Sequence, residues 1–274
     1  MKPIILDGKK LAKEIEEQLK LRVTKLKEKT GIVPNLAIIL IGIDPVSETY
    51  IKMKSNICER VGVKMTLIRL SEISTTEYVI NKIRDCNNSI DINGILLQHP
   101  LPKQIDEGKC FREISLGKDV DGLNPSSDFK CATPLGIITL LKHYNIEIES
   151  KEAVVVGRSR ILGKPMAMML LEENATVTIC HSKTKDLPEI IKRADILVAA
   201  IGNPKFIQGE WIRKGAVVVD AGYNPGNIGD VDLEKAIKKC SAYTPVPGGV
   251  GPMTIISLVG QVIDAAEKLQ TNNY

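Results

Sequence analysis

Apolar residues recur along this chain in two alternating patterns, one with the spacing of an amphipathic helix and one of short continuous runs. A continuous run bounded by Pro34 and Gly42 is typical of a strand buried on both faces. The predicted elements of this first part are, in order, a helix over 7–29, a strand over 35–42, a helix over 47–61, a strand over 64–70, a helix over 75–87 and a strand over 93–98.

A second alternating set follows residues 99–134, a proline-containing segment with little periodicity. We interpret that segment as an active-site loop region and a crossover between domains, with a plain connection as the alternative. The second set comprises a helix over 133–143, strands over 153–156, 176–180, 196–200 and 216–221, helices over 165–173 and 187–193, and a final helix over 252–269. Because strands that alternate with helices favour parallel sheets and right-handed crossovers, the sequence predicts two α/β domains.

The composition is that of a globular protein, with 43% hydrophobic and 26% charged residues, and it argues against disorder. Aromatic residues make up only 4%, which argues against a protein that binds single-stranded nucleic acid by aromatic stacking. The 37 basic and 33 acidic residues leave a net charge of +4, which indicates neither a nucleic-acid nor a membrane partner. No apolar run approaches the roughly 20 residues of a membrane span.

The N-terminus carries only a short apolar run, residues 3–6, where a secretory signal needs roughly 7–15 apolar residues. We therefore expect a cytoplasmic protein. The six cysteines lie at least 21 residues apart and form no CxxC pair, and there are only three histidines, so no metal site is predicted. The cysteines are expected to be reduced and buried.

The sharpest local motif is VVVGRSRILGKP at residues 154–165. A strand-like run meets Gly157 and a helix opens after Gly163, which is the setting in which a turn and a helix N-terminus hold a pyrophosphate. The glycine spacing departs from G-x-G-x-x-G, because Ser159 replaces the middle glycine and Gly163 lies one place late. The second α/β set that starts here favours a dinucleotide site.

The residues after the next predicted strand indicate which dinucleotide is bound. A protein that selects NAD places Asp or Glu near this point for the ribose 2′-hydroxyl, whereas this chain has His181, Ser182 and Lys183. Arg158 in the turn offers a planar fork of donors suited to a 2′-phosphate. We therefore predict NADP, with solvated surface charges at Arg158 and Lys183 as the alternative.

A lysine is predicted on the buried side of the helix over 47–61, for which Ser47 is the expected N-cap. Tyr50, Lys54, Ile57 and Val61 fall on one stripe that faces the core, whereas Lys52 and Glu59 face outwards. Because burial disfavours the ammonium form, it lowers the pKa of a lysine and suits it to acid–base chemistry near neutral pH. The alternative is a lysine whose amine reaches solvent at the rim of the stripe.

Two other segments bring polar groups to the same region. Gln98 ends the third predicted strand, and ligands of open parallel sheets bind beyond the carboxyl ends of strands. In KDVDGLNP, Asp119 and Asp121 flank Val120 and Gly122 turns the chain. One of these carboxylates can accept hydrogen bonds from a nitrogen-rich ring, and a turn role for both is the alternative.

With these motifs together, the chain closely resembles the bifunctional 5,10-methylenetetrahydrofolate dehydrogenase/cyclohydrolases over nearly its whole length. The resemblance rests on an ordered set of motifs: SETYIKMK, ILLQHPLP, KDVDGLNP, VVVGRSRILGKP, TVTICHSKT and TPVPGGVGPMT. It implies oxidation of 5,10-methylenetetrahydrofolate with NADP⁺ and then hydrolysis of the methenyl product to 10-formyltetrahydrofolate.

The resemblance also implies a domain division. Residues 1–121 and 253–274 form a folate-binding catalytic domain that the C-terminal helix completes, and residues 122–252 form an NADP-binding Rossmann-type domain. A substrate cleft lies between the two, and a homodimer forms through the nucleotide domains. The expected partners are thus a folate, NADP and a second copy of the chain, without nucleic acid or membrane.

For individual residues, the resemblance implies that Lys54 is the central catalytic residue and that Tyr50 and Gln98 position it and bind substrate with it. Asp121 anchors the pterin ring. The cofactor is held by residues in the turn and at two later strand ends, namely Gly157, Arg158, Ser159, Ser182 and Tyr223. The cleft loop over 247–252 supplies further substrate-binding positions, namely Pro247, Gly248, Gly249 and Gly251.

The chain departs from the family pattern in two places. The segment between Asp121 and Thr133 is several residues shorter than usual, and Tyr223 stands where an aliphatic residue is common.

Two alternative functions stay open, a monofunctional dehydrogenase of this or another reduced pterin and a non-catalytic NADP sensor. Lys54 with Gln98 and Asp121 argues against the sensor, which needs none of them. Shikimate-type dehydrogenases share the two-domain plan, but the LLQHPLP and PGGVGP motifs do not fit them.

Overall fold

Two parallel sheets organise residues 2–271, the part of the chain that this computed structural model describes. The strands are β1 Ile4–Ile5, β2 Asn35–Ile41, β3 Lys64–Leu70, β4 Gly94–Leu97, β5 Glu152–Val156, β6 Thr176–Cys180, β7 Ile196–Ala199, β8 Val217–Asp220 and β9 Ala242–Tyr243. The helices are α1 Gly8–Thr30, α2 Pro45–Val61, α3 Thr76–Asn88, α4 Glu107–Glu113, α5 Ala132–His143, α6 Gly163–Glu172, α7 Leu187–Ile191, α8 Leu233–Ala236 and α9 Val250–Thr271. The predicted fold class, two α/β domains with parallel sheets, is confirmed.

The chain divides into two units, one for each sheet. The three-stranded unit consists of Lys13–Ala132 and residues 255–271, and the six-stranded unit consists of residues 2–12 and Thr133–Thr254. This division differs from the predicted bounds at residues 2–12, because β1 pairs with β9 of the larger sheet. It also differs at residues 122–132, which hydrogen bond to helix α9 of the three-stranded unit.

The smaller sheet has the order β3-β2-β4, and all seven residues of β2 are buried, as predicted for a strand covered on both faces. At its carboxyl edge the Gly42 amide donates to the Leu70 carbonyl at 3.0 Å, and the Gln98 amide donates to the Ile39 carbonyl at 2.9 Å. These bonds fix where the chain leaves β2 and β4. Helix α2, which follows β2, and Gln98, which follows β4, therefore lie at the same edge of the sheet.

The larger sheet has the order β1-β9-β8-β7-β5-β6. The chain runs from β5 outwards to β6 and then returns to β7 on the other side of β5. Such a reversal opens a crevice at the carboxyl ends of β5 and β7, where doubly wound sheets bind dinucleotides.

The strands β1 and β9 and the helix α4 were not predicted from the sequence. The strands β1 and β9 have two residues each, too few to show a period, and both residues of β1 are exposed. The helix α4 lies in the segment interpreted as loop, where the Asp106 side chain accepts the Lys109 amide and Cys110 and Phe111 are buried. Within residues 2–271, no helix combines the length and apolar composition that a membrane crossing requires.

Candidate active site

Helix α2 carries the lysine, and its start is set by Asp44 rather than by Ser47. The Asp44 side chain accepts the Ser47 amide at 2.7 Å, and Pro45 occupies the first helical turn. The predicted N-cap was therefore one turn late. Ser47 is buried instead, and its hydroxyl donates to the His99 carbonyl at 3.1 Å. Gly62 ends the helix with a positive φ of 88°.

The buried stripe of α2 includes the lysine, but its other members differ from those predicted. It consists of Ser47, Ile51, Lys54, Cys58 and Val61. Tyr50 and Ile57 are half-buried beside it, and Lys52 and Glu59 are exposed as predicted. Only 7% of Lys54 is exposed, so the lysine lies in the core rather than at a solvated rim.

Lys54 and Gln98 are joined by a hydrogen bond across the unit. The Lys54 Nζ donates to Gln98 Oε1 at 2.7 Å, and Gln98 Nε2 donates to the His99 carbonyl at 2.8 Å. Because the amide nitrogen is committed to a carbonyl, the amide oxygen must face the lysine. Gln98 thus holds the lysine amine at a fixed place beyond the carboxyl end of β4.

Burial shifts the pKa values of Lys54 and Asp121 towards each other. Desolvation lowers the pKa of Lys54 to about 8, although the negative charge of Asp121 raises it in part. Desolvation likewise raises the pKa of Asp121 to about 7, against the charge of Lys54 and the Ala132 amide, which lower it. Both groups are therefore able to exchange protons near neutral pH.

The two aspartates of KDVDGLNP have different surroundings. Asp119 is fully buried and its Oδ2 accepts the Asn124 amide at 2.8 Å, so it holds the turn. Burial raises the pKa of Asp119 to about 6. Asp121 is half-buried and lies close enough to Lys54 to shift its pKa. The chain turns at Gly122 with a φ of 63°, and a Cβ there would lie 2.4 Å from the Lys130 carbonyl carbon.

Gln261 of α9 fixes this turn, and sequence reasoning missed it. Its Nε2 donates to the carbonyls of Val120 at 2.7 Å and Lys130 at 2.9 Å, and its Oε1 accepts the Lys130 amide at 3.1 Å. Gln261 is buried on an otherwise apolar stripe of a long helix. A buried amide in such a stripe is the signal that was available in the sequence.

His99 is a second residue that sequence reasoning did not assign to the site. Its ring lies 5.4 Å from the ring of Phe111, and its Nδ1 lies 3.8 Å from the carboxylate of Glu107. Desolvation lowers its pKa, and the charge of Lys54 lowers it further, while Glu107 opposes the shift. Its surroundings therefore favour the neutral form of the His99 ring.

The dinucleotide motif forms the predicted strand–turn–helix. Gly157 has a φ of 133°, and a Cβ there would lie 2.1 Å from the Ala200 carbonyl oxygen. A Cβ on Gly163 would lie 2.3 Å from the carbonyl oxygen of Gly157. The Ser159 hydroxyl accepts the amides of Leu162 at 3.2 Å and Gly163 at 3.3 Å. Only glycine permits these close backbone contacts, which set the sharp turn from β5 into α6 that is typical of dinucleotide-binding turns.

The residues predicted to select NADP are all accessible. Arg158 in the turn and Ser182 and Lys183 after β6 are exposed. The segment after β6 is ordered by His181, whose Nδ1 accepts the Lys183 amide at 3.1 Å and whose amide donates to Thr184 Oγ1 at 2.8 Å. Since Gly157 donates to the Cys180 carbonyl at 2.9 Å, the two segments start from neighbouring strand ends.

The remaining predicted positions lie on two loops of the six-stranded unit. Tyr223 follows β8, and its hydroxyl donates to Asn227 Oδ1 at 2.8 Å. The loop before α9 contains Pro247, after a cis peptide bond, and Gly248, whose carbonyl accepts the Lys9 amide at 2.8 Å.

In the same loop, Gly249 donates to the Pro245 carbonyl at 2.8 Å, and a Cβ there would lie 2.6 Å from the Thr244 side chain. Gly251 lies in the first turn of α9. The loop is therefore closely packed, and Gly249 has no space for a side chain.

Comparison with known proteins decides the family. Residues 6–121 match the model of the tetrahydrofolate dehydrogenase/cyclohydrolase catalytic domain, and residues 131–270 match the model of its NAD(P)-binding domain. The chain belongs to the tetrahydrofolate dehydrogenase/cyclohydrolase family. The predicted family is therefore confirmed, and the chain is an enzyme with a catalytic and an NAD(P)-binding domain.

Individual members of the tetrahydrofolate dehydrogenase/cyclohydrolase family align over almost the full chain. The bifunctional protein FolD of Acidobacterium capsulatum is 56% identical, covering 98% of this chain and 99% of its own. The crystal structure of the Campylobacter jejuni FolD enzyme is 42% identical and covers 97% and 99% of the two chains, with a TM-score of 0.93. The Trypanosoma brucei enzyme, complexed with NADP and an inhibitor, is 31% identical and covers 98% and 99%, with a TM-score of 0.94.

The charge of Asp121 can be tested directly on Lys54. We expect Asp121→Asn to lower the pKa of Lys54 further below its ordinary value, because the variant removes a negative charge that stabilises the ammonium form. The measurement is a pH titration of the lysine side chains by NMR. Asp128→Asn, on an exposed residue of the same segment, is the control and should leave the titration unchanged. An unchanged or raised pKa in the Asp121 variant would contradict the assigned electrostatic interaction.

Proposed function

We propose that this enzyme oxidises 5,10-methylenetetrahydrofolate to the methenyl compound with NADP⁺ and then hydrolyses that compound to 10-formyltetrahydrofolate. The observation that carries the proposal is the buried Lys54, hydrogen bonded to Gln98 and electrostatically coupled to Asp121. A purely structural or cofactor-sensing protein has no need of a buried amine with a lowered pKa, because burying it reduces stability.

The dinucleotide turn supports the choice of cofactor. Its glycines pack the turn closely against Ala200 and the start of α6, as in turns that hold a pyrophosphate at a helix N-terminus, and Arg158 and Ser182 provide a cation and a hydroxyl for a 2′-phosphate. Gly157, Ser159 and the backbone at Tyr223 are the other residues that would hold the cofactor. When bound, NADP⁺ supplies the acceptor for the hydride that leaves the folate methylene carbon.

For the oxidation, the chain's own task is to position the substrate. The methenyl cation that results is stabilised by the two nitrogens that flank its carbon, so this step needs no acid or base from the protein. Asp121, a carboxylate beside the lysine, is the acceptor for the N–H groups of the pterin ring. Tyr50 and the backbone of Pro247, Gly248, Gly249 and Gly251 are the remaining groups proposed to bind the folate.

For the hydrolysis, Lys54 moves the proton. Water adds to the methenyl carbon and must lose a proton, which the neutral Lys54 Nζ accepts. The hydroxyl of the hydrated compound then loses its remaining proton to solvent as the formyl carbonyl forms, the carbon–N5 bond breaks, and the ammonium of Lys54 gives its proton to N5. A pKa of about 8 leaves both forms of Lys54 populated near neutral pH. Gln98 keeps the amine in place through both transfers.

A second copy of the chain is the proposed protein partner. The strand β6 is the last of the six-stranded sheet, so one of its edges meets no other strand among residues 2–271. Beside it, Met168 and Leu171 on α6 are 57% and 55% exposed, and Ile179 on β6 is also exposed. An open strand edge flanked by exposed apolar side chains is suited to an interface between identical chains.

The role of Lys54 is tested by Lys54→Met. We expect hydrolysis of supplied methenyltetrahydrofolate to fall by about 10²–10⁴-fold, because the variant keeps the apolar stem and removes the proton-transferring amine. The measurement is the enzyme-dependent loss of the methenyl absorbance. Lys52→Met, on the exposed face of α2, is the matched control and should retain the wild-type rate. Full hydrolysis by the Lys54 variant would reject the proposed role.

Cofactor choice is tested by Arg158→Ala. Loss of a charged hydrogen-bond donor to the 2′-phosphate should raise the KM for NADP⁺ about tenfold or more, with little change in the KM for NAD⁺. Both values come from dehydrogenase assays with each cofactor in turn. Arg160→Ala, which removes an exposed arginine from the same segment, is the control. An equal effect on both cofactors would exclude Arg158 as the group that reads the phosphate.

The homodimer is tested by Leu171→Glu. A charge in the apolar centre of the interface should shift the protein from twice the chain mass to the chain mass in sedimentation equilibrium. Leu21→Glu on α1, at an exposed leucine of the other unit, should leave the mass unchanged. A wild-type protein that sediments at the mass of one chain would contradict the proposal.

A further inference from the structure

A buried carboxylate in the six-stranded unit takes no part in the proton transfer proposed for Lys54 and is not among the residues proposed to bind substrate or cofactor. Asp230 is fully buried, and its two oxygens accept four hydrogen bonds. Oδ2 accepts the amides of Ile201 at 2.6 Å and Gly202 at 2.9 Å, and Oδ1 accepts the Asn203 amide at 2.9 Å and Asn224 Nδ2 at 3.1 Å. One side chain therefore fixes three consecutive residues after β7 and a residue of the loop after β8.

A second carboxylate fixes Asp230 itself. Asp220, at the end of β8, accepts the Asp230 amide at 3.0 Å and the Gly222 amide at 2.9 Å through Oδ1, and the Val231 amide at 2.9 Å through Oδ2. The Asp220 backbone is in turn bonded to Thr244. The loop after β7 is thus tied to the end of β8 through two carboxylates in series.

Two glycines leave the space for these carboxylates. A Cβ on Gly222 would lie 2.2 Å from the Asp230 carboxyl carbon, and a Cβ on Gly229 would lie 2.0 Å from Asp220 Oδ2. Neither contact is tolerable, so the backbone must come this close to both acids. The two carboxylates and the loops that contain Gly222 and Gly229 therefore depend on each other for their conformation.

The loop after β7, which Asp230 holds, lies next to the dinucleotide turn. The loop follows β7, and β7 and β5 are the two strands between which the chain reverses direction. The Ala200 carbonyl oxygen lies against Gly157 of the dinucleotide turn. In doubly wound sheets this crevice receives the dinucleotide, with its second nucleotide half over the strands beyond the reversal. Tyr223, a proposed cofactor position, precedes the Asn224 that Asp230 binds.

We infer that Asp230 is a positioning residue for the dehydrogenase step, which holds the loops after β7 and β8 in the conformation that receives the nicotinamide half of the cofactor. Asp230 does not touch the cofactor. Because it engages the amides of residues 201–203, the backbone there offers carbonyl acceptors and no donors. Acceptors suit the hydroxyls of a ribose and the amide of a nicotinamide, whereas a phosphate needs donors.

The inference rests on the proposed dehydrogenase function, and the second activity of the enzyme separates it from a general effect on folding. Hydrolysis of supplied methenyltetrahydrofolate depends on Lys54 in the three-stranded unit and consumes no cofactor. A variant that disturbs only the cofactor loops should keep that activity. A variant that weakens the whole fold should lose both activities together.

The test uses Asp230→Asn in the full-length protein. The variant keeps the shape of the side chain, but it removes the charge and turns an amide nitrogen towards backbone donors. We expect the Kd for NADPH, from a titration of cofactor fluorescence, to rise about tenfold or more. The KM for NADP⁺ should rise in parallel, whereas hydrolysis of the methenyl compound should stay within about twofold of wild type.

Two further variants keep the test decisive. Asn224→Ala removes one of the four hydrogen bonds and should raise the same Kd by a smaller factor, which covers the case in which Asp230→Asn fails to fold. Asp232→Asn changes a neighbouring acid that caps none of these amides and should leave the Kd unchanged. Unaltered NADPH binding in both the Asp230 and Asn224 variants would overturn the inference, as would a parallel loss of both activities in the Asn224 variant. A wild-type protein that binds no NADPH would overturn it together with the proposed function.

Discussion

The hydrogen bond between Lys54 and Gln98 is the interaction on which the rest of the catalytic unit depends. A buried amine is stable only if its donors are engaged, and the 2.7 Å bond to the Gln98 amide oxygen engages one of them. That bond joins the buried face of α2 to the residue that follows β4, and the Gln98 amide is itself bonded to Ile39 of β2. The His99 carbonyl holds the Gln98 side-chain nitrogen. The fold thus supplies a lysine with a lowered pKa at one defined point.

Both sheets use their carboxyl edges, but for different tasks. In the three-stranded unit, the residues at that edge carry the groups that titrate near neutral pH. In the six-stranded unit, that edge carries glycines without space for side chains and exposed donors at Arg158 and Ser182. Proton transfer requires a buried group with a shifted pKa, whereas binding of a phosphate-bearing cofactor requires accessible donors. Each unit therefore carries the kind of group that the step we propose for it requires.

The parts of the site that follow from local patterns could be predicted from the sequence. Helical spacing placed Lys54 on the inner face of α2, and the strand end placed Gln98 beside it. The same spacing assigned Tyr50 and Ile57 to the stripe, whereas they flank it, because the buried stripe passes through Ile51 and Cys58, one position later in each case. An error of one residue in the phase of the helical stripe therefore replaced Ile51 and Cys58 by their neighbours Tyr50 and Ile57.

The groups that act over long sequence distances could not be predicted. Gln261 holds the turn beside Asp121 from 131 residues away, and Asp230 holds a loop 27 to 29 residues before it. Neither residue forms a local motif, and the strands β1 and β9 are too short to show a period. Tertiary hydrogen bonds of this kind are recognised only when the loops have been brought together.

The most direct test of the account is a paired absorbance assay of the wild-type enzyme supplied with 5,10-methylenetetrahydrofolate and NADP⁺. We expect enzyme-dependent formation of NADPH, followed by enzyme-dependent decay of the methenyl absorbance. Formation of NADPH with a methenyl product that persists at its uncatalysed rate of decay would contradict the role assigned to the buried lysine. The absence of NADPH formation would contradict the proposed function as a whole.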